Sequence, residues 1–194
     1  MLRNVFLILL TLTIAIGGGA ASAWLALGSV GGLDAISVAG WVAYPEAGTP
    51  QADPYSKARI AREATLPLGQ AEGLPFFTAR DASGDSLRRD CTYRIEGQFP
   101  PARFWTLQVA AADRLQRASS RDRSSGLTSY GIVREGDNAV LITASRSAAA
   151  GNWLALDGSG PMTLVLTLYD TPVASNENIG EIPLPQVLKV GCDV

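Results

Sequence analysis

Apolar and polar residues change rhythm twice along this chain of 194 residues. From Val5 to Leu33 no charged residue, Asn, Gln or Pro appears, a run of 29 positions (33 − 5 + 1). Roughly 20 apolar residues of helix cross a bilayer core, so this run predicts a membrane-spanning helix. Arg3 precedes it and no Lys or Arg follows until Lys57. The positive-inside tendency then keeps the N-terminus in the cytoplasm and exports the rest across a bacterial-type inner membrane. Ala21-Ser22-Ala23 also fits the small-x-small pattern of a cleaved signal peptide. Trp24-Leu25-Ala26-Leu27 carries the apolar run past that cut and favours an uncleaved anchor. Both readings place the bulk of the chain in the periplasm.

A short segment with Trp41, Val42 and Tyr44 leads into a Pro/Gly-rich linker from Pro45 to Asp53. Asp53-Pro54 reads as an N-cap with proline at the first helical position. Tyr55, Ala58, Ile60, Ala61 and Ala64 fall close to helical spacing, predicting a short amphipathic helix that ends near Leu66-Pro67 and Gly69. From Leu74 onward the rhythm is that of strands. Leu74–Arg80 and Leu87–Glu96 flank the turn cluster Asp81-Ala82-Ser83-Gly84-Asp85, which predicts a hairpin. Cys91, Tyr93 and Ile95 alternate there with Thr92, Arg94 and Glu96, one face buried and one wet. Phe104–Ala111 puts Trp105, Leu107, Val109 and Ala111 on one face. After a polar loop, Ala112–Gly126, two more hairpins are expected. One joins Thr128–Arg134 to Ala139–Ser145, the other Trp153–Leu156 to Met162–Tyr169. A last strand, Gln186–Val190, leads to Cys192. Short strands between regular turns predict a mainly β fold, an antiparallel sandwich of jelly-roll type. The layout is an anchor or signal segment (1–33), a linker with a short helix (34–73) and a β-sandwich domain (74–194).

Charge and composition narrow the chemistry. Sixteen basic and 18 acidic residues give a net charge of -2, which provides no basic footprint for nucleic acid. The chain has no histidine. Ser-His-Asp and Cys-His nucleophile systems, a histidine general base and histidine-ligated zinc are therefore excluded within it. No phosphate loop, dinucleotide fingerprint or metal-ligand cluster occurs, and no cofactor or metal is implied. Cys91 and Cys192 lie in the exported part, where an even count reads as one disulfide. It would close a loop of about 100 residues and stabilise by on the order of 4–5 kcal/mol. The alternative is two buried thiols that never meet.

Gln98 to Tyr169 carries a set of ordered motifs: Pro100-Pro101, Phe104-Trp105-Thr106-Leu107, Gly151-Asn152-Trp153-Leu154-Ala155 and Pro161-Met162-Thr163-Leu164-Val165-Leu166 with Leu168-Tyr169. In order and spacing they resemble the domain-of-unknown-function family 1214, over roughly Leu74 to Val190, in a short exported form similar to alphaproteobacterial proteins of this layout. The resemblance implies a jelly-roll sandwich and no established catalytic residues. Ala155 stands where the family commonly has proline, and the companion domain often found N-terminal to this one is absent, which weakens any transfer of activity from two-domain members.

Trp105 and Trp153, with Tyr93 and Tyr169, could stack a sugar ring, with Arg94, Arg103 and Asn152 as hydrogen-bond partners. The plainer reading of Trp105 is core, because its strand face is otherwise apolar. Arg114, Arg117, Arg121 and Arg123 among serines could contact anionic lipid headgroups or acidic glycan; as a surface charge run they need no partner. A carboxylate pair for glycoside hydrolysis needs two acids roughly 5–9.5 Å apart across a cleft, whereas Asp81, Asp85, Asp137 and Asp157 sit where Asp serves turns. The sequence thus favours a non-enzymatic, membrane-anchored envelope module for glycan, lipid headgroup or protein. The alternative is a periplasmic carboxylate-dependent hydrolase acting on glycan or ester.

Cell fractionation with N-terminal sequencing tests the anchor. A membrane-bound chain retaining residues 5–33 is expected, and a soluble product beginning at Trp24 would leave only the signal peptide.

Overall fold

The computed structural model describes residues 2–28, 35–63, 66–69, 71–111, 126–136, 138–175 and 182–192. Helix α1 (Leu2–Gly28) contains a stretch, Leu2–Leu25, long and apolar enough to cross a membrane, a property it shares with signal sequences. Its polar side chains are satisfied locally: the Thr11 and Thr13 hydroxyls donate to the carbonyls of Leu7 and Leu9, each at 2.8 Å. Helix α2 (Pro54–Glu63) begins as the sequence predicts. Asp53 Oδ1 accepts the Tyr55 and Ser56 N–H groups at 2.8 and 3.1 Å, filling the N-cap role. It is described as far as Glu63, residues 64 and 65 lying outside the described residues, and Leu66–Gly69 is not helical.

Besides these helices and two 3-10 turns, Pro45–Gly48 and Pro172–Ser175, the described residues form ten strands: β1 (Ile36–Val38), β2 (Trp41–Ala43), β3 (Gly73–Thr78), β4 (Cys91–Gly97), β5 (Phe104–Ala111), β6 (Gly126–Thr128), β7 (Val140–Ser145), β8 (Asn152–Ala155), β9 (Met162–Tyr169) and β10 (Gln186–Cys192). A larger sheet has the order β1-β2-β3-β9-β5-β6, and a smaller one β10-β4-β7-β8. Ile36–Ala43, within the stretch expected to be linker, thus supplies two strands of the larger sheet. Alternation decides the rest. Leu74 and Phe76 of β3, Trp105, Leu107 and Val109 of β5, and Met162, Leu164, Leu166 and Leu168 of β9 are buried. They share one core with Tyr93 and Ile95 of β4, Ile142 and Ala144 of β7 and Leu154 of β8.

None of the three expected hairpins forms as a pair of neighbouring strands. β3 and β4, β6 and β7, and β8 and β9 each fall in opposite sheets. The turn clusters reverse the chain, as glycine at Gly84, Gly158 and Gly160 with φ of 90°, 82° and 90° requires, but they carry it across the core. The reason is on the strands themselves. Each has one apolar row, and two such rows face each other more completely across a core than side by side in one sheet. Only an isolated bridge, Arg80 to Ser86, survives of the first hairpin. A second departure is that β8 runs parallel to β7 (Ile142 opposite Asn152, Ser145 opposite Ala155), so the smaller sheet is mixed.

Along one side the sheets are tied by polar bonds. The buried Trp41 indole N–H donates to the Pro185 carbonyl at 2.7 Å, and the Ala82 N–H donates to the Val187 carbonyl at 2.8 Å. β10 lies beside β4 and runs past the expected Val190 to include Cys192. Val187 pairs with Ile95 and faces the core. Cys192 is five positions further, an odd step that would turn it away in a regular strand. The register slips between Lys189 and Gly191, leaving Val190 as an extra residue. This bulge restores the parity, so Cys192 stands opposite Cys91 with Cα atoms 3.8 Å apart and the two form a disulfide.

The bond spans a sequence separation of 101 residues. Replacing both cysteines by serine is expected to cost on the order of 2–5 kcal/mol, read as a lower denaturant midpoint with a steeper slope, because the unfolded chain without the bridge exposes more surface. Thiol titration of the unreduced, denatured chain should find none free.

Candidate functional site

Of the seven ligand-binding candidates, Tyr93 and Trp105 offer no surface. Tyr93 is wholly buried, and its hydroxyl accepts the Arg88 N–H at 2.9 Å. Trp105 is 2% exposed and stacks on Phe99 with centroids 4.3 Å apart. Asn152 works on its own chain: Oδ1 accepts the Val133 N–H at 2.7 Å, while Nδ2 donates to the Val133 and Leu141 carbonyls at 2.7 and 2.8 Å. Trp153 and Arg94 share the outer face of the smaller sheet, separated by Thr143. The Trp153 indole N–H is bonded to Ser145, and Arg94 pairs with Glu96 at 2.7 Å. Arg103 stands apart from them, at the end of the larger sheet. The arginines of the 112–125 loop lie outside the described residues.

Arg103 leads to a different platform. Because Trp105 faces in, its neighbour Phe104 faces out, opposite Tyr169 in register. The Phe104 ring lies 5.7 Å from Tyr169 and 5.2 Å from Tyr130, centroid to centroid. Tyr130 is delivered by a tight turn after β6. Gly131 N–H donates to the Thr128 carbonyl at 3.1 Å; Ser129 N–H donates to the Trp105 carbonyl at 3.0 Å, and the Ser129 hydroxyl accepts the Trp105 N–H at 3.2 Å. Tyr130 is 80% exposed, while Phe104 and Tyr169 are half-buried. The result is an aromatic ladder on the open face of the larger sheet, Tyr169–Phe104–Tyr130. Of its three rings, the sequence reading weighed only Tyr169. Phe104 could have been found from the strand parity that buries Trp105; Tyr130, isolated in a turn, carries no periodic signal.

The next row beneath the ladder is Pro75–Thr167–Thr106–Thr128, then Phe77–Val165–Gln108–Gly126. No charged side chain stands in these rows. Gly73, opposite Tyr169, leaves that flank of the ladder without a side chain. Thr106 Oγ1 is buried and lacks a hydrogen-bond partner, which costs about 1–3 kcal/mol for such a group. Among the described residues, charge stands at the rim, where Arg103 and Asp170, both well exposed, pair at 3.5 Å and the Arg103 N–H donates to the Asp170 carbonyl.

A cleft of about 410 Å³ lies elsewhere, between the β1–β2 turn, the 78–84 segment and β10. Asp81 is the one carboxylate lining it. Its Oδ1 accepts the Ser83 and Asp85 N–H groups at 2.9 and 3.0 Å, the bonding of a turn aspartate. Among the described residues no group of three or more Cys, Asp or Glu could hold a metal ion. Asp90 is displaced in the wrong direction for a general acid: the hydrogen bond from Arg88, at 2.6 Å, and that from the Gly160 N–H hold its carboxyl below the usual 3.8.

These observations can be set beside known proteins. The family model "Protein of unknown function (DUF1214)" matches residues 72–173, just over half the chain. The chain belongs to the DUF1214 family. Both sheets of the DUF1214 match contain strands from this range, and the three ladder residues lie inside it. Among solved structures, the VPA0106 protein from Vibrio parahaemolyticus is similar, with a TM-score of 0.57 and 17% identity over 72% of this chain and 36% of its own. An uncharacterized protein from Burkholderia cenocepacia has a TM-score of 0.44 and 13% identity over 92% of this chain and 51% of its own. The DUF1214 chain therefore spans about a third to a half of the length of these relatives. No curated protein matches it.

A lowered carboxyl pKa contributes stability that is present above the unfolded value and lost as acid protonates it. Asp90→Asn is therefore expected to lower the melting temperature at neutral pH. The gap to the native chain should close as pH falls below the usual 3.8, as thermal melts across pH will show.

Proposed function

We propose that this protein is a membrane-anchored periplasmic binding module, a sandwich of jelly-roll type, whose ligand is an uncharged envelope glycan lying on the Tyr169–Phe104–Tyr130 ladder. The observation that carries this reading is the exposed ladder itself, on a sheet face without charge. A pyranose ring has an apolar C–H face that stacks on aromatic rings and a hydroxyl edge that needs donors and acceptors. The exposed Thr128 and Gln108 supply the second, beside the rings that supply the first. A turn about χ1 would bring the orphaned Thr106 hydroxyl out to a ligand hydroxyl and relieve its cost. The rings touch one another, so they form one continuous platform for a flat segment of glycan rather than separate cups. The apolar α1 helix supports the membrane location, and the family resemblance supports the jelly roll. Hydrolysis by a carboxylate pair finds less support, since the cleft is lined by a single acid engaged in its own turn.

Affinity electrophoresis through gels containing purified neutral envelope polysaccharide tests the proposal. The protein is expected to be retarded, and Tyr130→Ala to lose roughly 2- to 13-fold in affinity, the equivalent of about 0.5–1.5 kcal/mol per stacked ring. Phe104→Ala with Tyr130→Ala should lose more. Retardation that the two variants leave unchanged would reject the ladder as the site.

A further inference from the structure

The helix α2 has a role that neither the ladder nor the core explains. Ser56 is buried and Ile60 partly so, four apart, which marks one covered side of α2. Tyr55, Ala58 and Arg62 lie on the outward side and are exposed. That side meets the anchor: Arg62 is stacked over the Trp24 ring, 5.9 Å from its centroid. Counting from Val5 to Trp24 at 1.5 Å per residue gives about 29 Å, against a hydrocarbon core of about 30 Å. Trp24 is thus at the far boundary of the span, the depth at which tryptophan belts occur. Arg62 is carried to the same depth. Three residues beyond Glu63, Leu66 is 97% exposed, a large apolar side chain with no cover from the protein. Of the three basic residues in the α2 sequence, Arg59 and Arg62 fall by helical spacing toward the outward side, whereas Lys57 falls on the other and donates to the Pro50 carbonyl at 2.8 Å; the one acid is Glu63.

We propose that α2 and Leu66 rest on the outer surface of the membrane beside the anchor, the basic helix against anionic phospholipid headgroups and Leu66 in the acyl boundary. This inference rests on the anchor reading of α1. A surface helix of this kind gains from buried apolar area together with attraction to anionic lipid. Cation–π contact with Trp24 fixes its depth. The occupant is lipid rather than protein because the patch is continuous with the end of the apolar helix, where lipid is already the neighbour.

The full-length chain in nanodiscs tests it, by comparing amide exchange over residues 54–63 in pure phosphatidylcholine discs and in discs containing phosphatidylglycerol. Exchange is expected to be several-fold slower with phosphatidylglycerol. The Arg59→Glu, Arg62→Glu double variant should lose that difference while β9 amides stay as protected as in the native chain, which shows that the domain is folded. Equal exchange in both lipids, with the chain bound to the discs, overturns the docking and leaves the anchor standing. A chain that does not stay with the discs overturns the anchor and the docking together.

Discussion

The alternation along β5 is the constraint on which core and surface both depend. Trp105, Leu107 and Val109 point into the space between the sheets, where each meets a leucine row of β9. Every second residue must then point away. Phe104 is therefore on the open face because Trp105 is in the core. A slip of one position would turn Phe104 and Thr106 into the space between the sheets and the tryptophan out of it, losing the Phe99 stack. The ladder is held in place by the same burial that stabilises the fold, which gives its rings a rigid base.

Much of the architecture was legible in the sequence, and the failures have a common cause. The apolar run of α1, the Asp53-Pro54 start of α2 and the inward row Cys91, Tyr93, Ile95 are local signals, and each appears where its chemistry says. Pairing is non-local. Turn residues such as Gly84 and Gly160 declare a change of direction without declaring which sheet receives the next strand. The hairpins expected from them are crossings instead. The candidate site suffered similarly. Tryptophans drew the reading toward Trp105 and Trp153, yet one is core and the other has its indole N–H bonded to Ser145. Arg103 and Tyr169 do stand at the platform, beside partners the sequence reading passed over.

Polar bonds do a separate task from the core. Hydrophobic burial brings the sheets together without specifying how far one slides along the other. The Trp41 bond to Pro185 and the Ala82 bond to Val187 are directional and sit on the side where β10 must dock. They set the position from which the Val190 bulge can deliver Cys192 to Cys91.

That disulfide gives the β domain an unusual covalent topology. From Cys91 to Cys192 the backbone and the bridge form a closed ring that holds all four strands of the smaller sheet and three of the larger. A single peptide bond cut anywhere in that ring opens it without releasing a fragment. Under oxidising conditions the aromatic ladder and the N-terminal helix would remain one covalent molecule after such a nick. Wherever proteases reach the chain, the bridge would then act as retention as well as stability.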